Sequence, residues 1–140
     1  MADEVVLNKT AVIERCLGRI NEEYANVGNE FESDYTRQDS IVLNLLRASD
    51  AAIDLAMHAT RLGKLGLPQE SREAFTLLER AGWTEPELSR RMQDMVGFRN
   101  VAVRDYQRLR LDILKSIVEG HLNDFEAFAN AILRRGAHSP

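Results

Sequence analysis

The chain has 140 residues, 44% hydrophobic and 29% charged, with 18 basic against 22 acidic side chains and a formal net charge of −4. That length suits one domain with its own core, and the composition excludes global disorder. Three Pro and eight Gly are too few to punctuate an all-β chain, and a single Cys excludes a disulfide framework and a cysteine-based zinc site.

Apolar residues recur at helical spacing almost throughout. Val5, Val6, Ile13, Leu17, Ile20 and Tyr24 predict a first helix from Glu4 to Tyr24, broken by Asn26, Gly28 and Asn29. Cys16, beside Ile13, Leu17 and Ile20, reads as a small apolar residue on its buried face. A second helix is expected to begin near Asp39-Ser40, with Ile41, Val42, Leu45, Leu46, Ile53, Ala56 and Met57 as its stripe, and to stop at Gly63. Its Ala48, Ala51, Ala52 and Ala59 are small enough for a neighbouring helix to approach closely. Gly66 to Gln69 reads as a loop. Ser71 is a plausible cap for a third helix carrying Phe75, Leu77 and Leu78, which Gly82 ends. Thr84-Glu85-Pro86-Glu87 reads as a start signal, because Pro is tolerated in a first turn. The fourth helix then carries Leu88, Met92, Met95, Val96 and Phe98 to about Val103. A last helix is expected from Leu111 to Leu133, where Arg134-Arg135 suits the negative end of the helix dipole.

The expectation is therefore an all-α protein: a five-helix up-and-down bundle in one domain, residues 1–135, with a flexible tail, 136–140. No apolar run approaches the roughly 20 residues that span a bilayer. The acidic Met-Ala-Asp-Glu start lacks the basic region of a secretory signal, so the expected location is the cytoplasm.

Bulk charge gives no hint of nucleic acid, but it hides an asymmetry. Between Arg90 and Arg110 stand six arginines (90, 91, 99, 104, 108 and 110) against Asp94 and Asp105, a local excess of +4 that leaves −8 for the remainder. Guanidinium groups fork onto phosphate. A basic stretch on an acidic protein is a footprint suited to RNA or nucleotide phosphate. On composition alone the plainer alternative is favoured, that these arginines pair with acids on neighbouring helices or sit in solvent.

Within that stretch stands Gly97-Phe98-Arg99-Asn100-Val101-Ala102-Val103-Arg104-Asp105-Tyr106. It resembles the signature of the HepT-like toxins of the HEPN superfamily: Arg, usually followed by Asn, four to six intervening residues, His, one residue, and often Tyr. Arg99, Asn100 and Tyr106 match, and four residues separate Arg99 from position 104. Met95 to Phe98 is similar to the family's lead-in, Asp39 to Leu45 and Ala51 to Ala56 to its long second helix, and Ser71 to Leu78 to its third. The resemblance spans residues 5 to 133.

The resemblance implies a HEPN-like fold and a homodimeric, metal-independent endoribonuclease toxin, with two motifs meeting in a cleft between protomers. It implies an MNT-type nucleotidyltransferase antitoxin that silences the toxin by transferring AMP to the motif tyrosine, here Tyr106. Arg99, Asn100 and position 104 would be catalytic, and Arg99, Arg104 and Arg108 would contact RNA. One departure stands out: Arg104 occupies the place of the family's His. The resemblance implies that this His serves as acid and base toward the RNA 2′-hydroxyl and leaving oxygen. Imidazole, with a pKa of about 6.5, exchanges protons near neutrality. A guanidinium, with a pKa above about 12, does not. Arg104 can still bind phosphate and stabilise transition-state charge. Two explanations stand: a selected or engineered inactive form, since an active toxin is hard to express, or a natural variant that binds without cutting. The intact remainder of the motif favours the first. The rival functional class is a non-catalytic helical module that binds a nucleotidyltransferase or nucleic acid.

Other side chains offer less. His58, His121 and His138 lack metal-ligand spacing, and His58 is the best placed of them to face a cleft. Gly63-Lys64-Leu65-Gly66 lacks the spacing and preceding strand of a phosphate loop. No nucleophile motif or cofactor signature occurs. Trp83 reads as a packing residue.

Overall fold

The computed structural model describes residues 3–27, 30–106 and 109–136. They form six helices: α1 (Glu4–Ala25), α2 (Tyr35–Leu62), α3 (Ser71–Arg80), α4 (Pro86–Arg104), α5 (Leu111–Gly120) and α6 (Leu122–Gly136). No strand occurs among the described residues. The all-α class stands, but the helix count is six, not five.

The extra helix comes from a break in the expected last one. His121, at φ −126° and ψ 2°, leaves helical geometry directly after Gly120, a poor helix former. The His121 N–H still closes α5 on the Ile117 carbonyl at 2.9 Å, and the Asp124 side chain lies 3.3 Å from His121 Nδ1. The apolar stripe continues across the break, so periodicity alone reads one helix where there are two. Gly136 ends α6; the rest of the expected tail, 137–140, lies outside the described residues.

Helix α2 is the spine, 28 residues and about 42 Å long, packed against α1, α3, α4 and α6. Its Ala48, Ala52, Ala56 and Ala59 are fully buried, and small side chains there allow the close approach anticipated from their size. Ile13 and Ile20 of α1, Ile41, Leu45 and Leu55 of α2, Phe75 and Leu78 of α3, Met92 of α4, Leu114 of α5 and Phe125, Phe128 and Ile132 of α6 fill one shared core. The Phe75 and Phe128 rings pack 5.1 Å apart. Cys16 is buried in the same core, which raises its thiol above the ordinary value. Trp83 packs where Gly63 closes α2: a Cβ on Gly63 would lie 2.7 Å from the indole.

Helix α2 starts one turn earlier than its apolar pattern suggests. Asp34 is the cap, accepting from the Arg37 N–H at 3.0 Å, and the Gln38 amide donates to the Phe31 carbonyl at 2.6 Å. Tyr35 and Thr36 are exposed, so no apolar signal marks this turn. The consequence reaches the site: Asp39 is not a cap but a side chain of the second turn, available for another partner.

Candidate functional site

Two hydroxyls anchor α4. Ser49 on α2 donates to the Leu45 carbonyl at 2.8 Å with its oxygen against Met95 Sδ, also at 2.8 Å, and Ser89 donates to the Phe75 carbonyl at 3.2 Å. Below that anchorage the helix runs out of the core. From Gly97 to Arg104 only Ala102 is buried, while Val101 and Val103 are 49% and 56% exposed. Asp105, with φ −149°, ends the helix, and Tyr106 follows at once.

This end of α4 lies along α2 in antiparallel sense, fixed by two carboxylates. Arg99 Nε donates to Asp50 Oδ1 at 2.8 Å, and the Tyr106 hydroxyl donates to Asp39 Oδ1. Asp39 and Asp50 are eleven residues apart, three helical turns, and so share one face of α2. Arg99 Nη1 also donates to Asn100 Oδ1 at 3.1 Å, so Asn100, half-buried, orients the guanidinium. Arg104 is exposed and has no ion pair among the described residues. Removal of the Tyr106 hydroxyl from water, then its hydrogen bond to Asp39 and the charge of that carboxylate, push the phenol up to about 12. The phenol is therefore fully protonated at neutral pH.

Arg99, Asn100, Arg104 and Tyr106 thus follow one another along the outer end of α4, the first two half-buried and the last two exposed. Arg108 lies outside the described residues. The rest of the basic stretch divides. Arg91 pairs with Glu87 at 2.6 Å and with Asp124 at 3.5 Å, and Arg110 pairs with Asp112 at 2.8 Å, so the plainer reading holds for those two. His58 does not join the site: its Nε2 lies 2.9 Å from Asp3 Oδ1, tying α2 to the cap of α1. That contact, followed by the backbone bonds from Val5 and Val6, outweighs burial and lowers the Asp3 carboxyl. His121 meets only Asp124, and His138 lies outside the described residues. No group of three or more His, Cys, Asp or Glu is placed to hold a metal ion among the described residues, and none of their helices is long and apolar enough to cross a membrane. A cavity of about 290 Å³ between α4, α5 and α6, lined by Met95, Phe98, Ile113 and Ile117, contains none of the motif side chains.

Asp39 and Asp50 are the site residues that sequence reasoning missed. Nothing in the motif points to them; they lie 67 and 49 positions from their partners.

The helical bundle with Arg-Asn and a following Tyr at the outer end of one helix fits the HEPN class, with Arg104 standing in the place of its His. The ribonuclease HepT-like family model matches residues 13–132, and the chain belongs to that family. It is 46% identical over 130 residues to an mRNA nuclease HepT of Shewanella oneidensis, covering 93% of this chain and 97% of the relative. Among solved structures it is similar to a tri-AMPylated Shewanella oneidensis HEPN toxin in complex with MNT antitoxin, with a TM-score of 0.88 and 46% identity over 93% of this chain and 97% of that one. A toxin–antitoxin structure with AMP-PNP matches with a TM-score of 0.87 and 45% identity, over 93% and 98% of the two chains.

Proposed function

We propose that the chain is the toxin of a HEPN/MNT toxin–antitoxin pair, built to cleave RNA without a metal and silenced by AMP transfer to Tyr106. The observation that carries this reading is the succession of Arg99, Asn100, Arg104 and Tyr106 along the outer end of α4 in a chain of the HepT-like family. Arg99, oriented by Asn100, binds the scissile phosphate and the charge that grows on it in the transition state. Position 104 is where the proton of the RNA 2′-hydroxyl is taken and the leaving oxygen is protonated. Arg104 supplies charge there but no proton exchange, so this chain binds RNA and cleaves it poorly. A second copy meets the exposed Val101, Val103 and Leu43 of this face, doubling the positive field and forming the cleft. Sedimentation is expected to show the dimer at micromolar concentration.

Tyr106 is 46% exposed and lies past the helix end, within reach of a partner enzyme. AMP attached there places bulk and negative charge beside Arg99 and Arg104, where substrate phosphate must sit. The test is incubation with the cognate MNT-type nucleotidyltransferase, ATP and Mg²⁺, then peptide mass mapping and RNA-binding titration. Mass added at Tyr106, absent in Tyr106→Phe, together with lost RNA affinity supports the reading. Modification at Tyr24 or Tyr35 instead removes its regulatory half. The second reading, a module that binds the transferase or RNA without cutting, is favoured by one observation, the Arg at position 104. It predicts RNA binding that no substitution at 104 turns into cleavage.

A further inference from the structure

We propose that Asp39 is the proton acceptor for AMP transfer to Tyr106, so that the toxin brings the base for its own modification. This rests on the proposed silencing at Tyr106. The reasoning begins with the hydroxyl. A phenol pushed up to about 12 has almost no phenolate near neutrality, and the neutral phenol is a weak nucleophile. The proton must therefore leave as the oxygen attacks, and a base must already be in contact with it. The Asp39 carboxylate is that contact: the Tyr106 hydroxyl donates to its Oδ1.

Asp39 is placed for this role by the extra first turn of α2. Asp34 and Gln38 secure that turn, so the Asp39 side chain has no capping duty. Asp39 and Tyr106 are both exposed, which leaves the pair open to a docked enzyme and its nucleotide. Neighbouring charges on α2 are engaged elsewhere: Arg37 by Glu23 and Asp34, and Asp50 by Arg99. From the end of α4, Arg104 and Asp105 directly precede Tyr106. Among the described residues, Asp39 is the one charged group that bears on the phenol in setting its high value.

The step balances as follows in atoms and electrons. The phenolic oxygen attacks the α-phosphorus of ATP, and a new O–P bond forms. The bond from that phosphorus to the bridging oxygen breaks, and pyrophosphate leaves with the electron pair. The phenolic proton passes to Asp39 Oδ1 and from there to solvent. The product is the tyrosyl phosphodiester of AMP.

The experiment compares this chain with Asp39→Asn and Asp39→Glu, using an active MNT-type transferase, ATP and Mg²⁺. The initial rate of AMP addition at Tyr106 is followed by peptide mass from neutral to alkaline pH. Asn keeps an oxygen that can accept the hydrogen bond but is a far weaker base. The expected result is a loss of about 10²-fold or more in Asp39→Asn, with the rate climbing toward tenfold per pH unit as solvent makes the phenolate instead. Asp39→Glu should recover most of the rate. Removing the carboxylate also removes a cause of the high phenol value, so a merely restraining Asp39 predicts an equal or faster rate in Asp39→Asn. That outcome, with the unsubstituted chain modified normally, overturns the assignment of Asp39 and leaves the silencing at Tyr106 standing. No addition at Tyr106 in the unsubstituted chain overturns both.

Discussion

From Pro86 to Val96, α4 turns Ser89, Met92, Met95 and Val96 into the core, and Arg91 is spent on Glu87 and Asp124 of its own chain. From Gly97 to Arg104 the same helix buries only Ala102 and leaves two valines and an arginine facing outward. Both halves are rich in Arg, and each has one that is paired, Arg91 in the first and Arg99 in the second, so charge does not separate them; what separates them is where the apolar surface goes. In the first half, apolar side chains meet apolar side chains, which is what stabilises a bundle. In the second half, apolar side chains are exposed beside cations, an arrangement that contributes little to folding and is suited to a partner and a phosphate.

The sharpest way to break this contrast is by stability. Met92→Ala in the buried half should cost about 2–5 kcal/mol, because Met92 is only 1% exposed and its loss leaves a cavity. Val103→Ala in the exposed half should change stability by no more than about 0.5 kcal/mol. Urea unfolding of the two variants checks both, and similar losses would erase the distinction. RNA affinity should divide the arginines the other way. Arg99→Ala and Arg104→Ala should each weaken binding and reduce the salt slope by about 0.7 per lost phosphate contact on a single strand. Arg91→Ala, whose charge is already matched by two acids, should leave the slope unchanged.

Asp50 offers a finer probe at the join of α2 and the exposed half. Its pair with Arg99 is open to solvent, so Asp50→Asn should cost only about 0.2–1 kcal/mol of stability. The same change frees Arg99 and removes a negative charge beside it. RNA affinity should rise, measured by titration at fixed salt. The smallest effect lies far from α4, at the cap of α1. The Asp3 carboxyl is lowered from 3.8, chiefly by His58, so its folded value lies below its unfolded one. Its contribution is present above the unfolded value and is lost as pH falls through the folded one. Asp3→Asn should therefore flatten the acid limb of the stability curve below pH 3.8, with little change in its shape above.

Much of this was legible in the sequence because it is local. Helices α1, α3 and α4 end within a residue or so of where periodicity, Pro86 and Gly82 put them. The motif residues Arg99, Asn100 and Tyr106 sit within eight positions and announce themselves together. Non-local features did not show. The first turn of α2 is held by Asp34 and Gln38 rather than by an apolar stripe, and the break at His121 leaves the stripe intact. Asp39 and Asp50 reach their partners only because α2 and α4 run antiparallel, which no spacing along the chain encodes. The pairing of Arg91 with Asp124 is hidden for the same reason.

The central claim is that the exposed half of α4 is a ribonuclease site in which Arg104 withholds the proton exchange that cleavage needs. It is tested most directly by metal-free RNA cleavage with purified Arg104→His beside this chain. Imidazole at that position should raise the cleavage rate by about 10²–10⁴-fold, the usual contribution of acid–base catalysis, and Arg99→Ala added to it should remove the gain. An Arg104→His protein that folds, binds RNA and cleaves no faster than this chain would contradict the account.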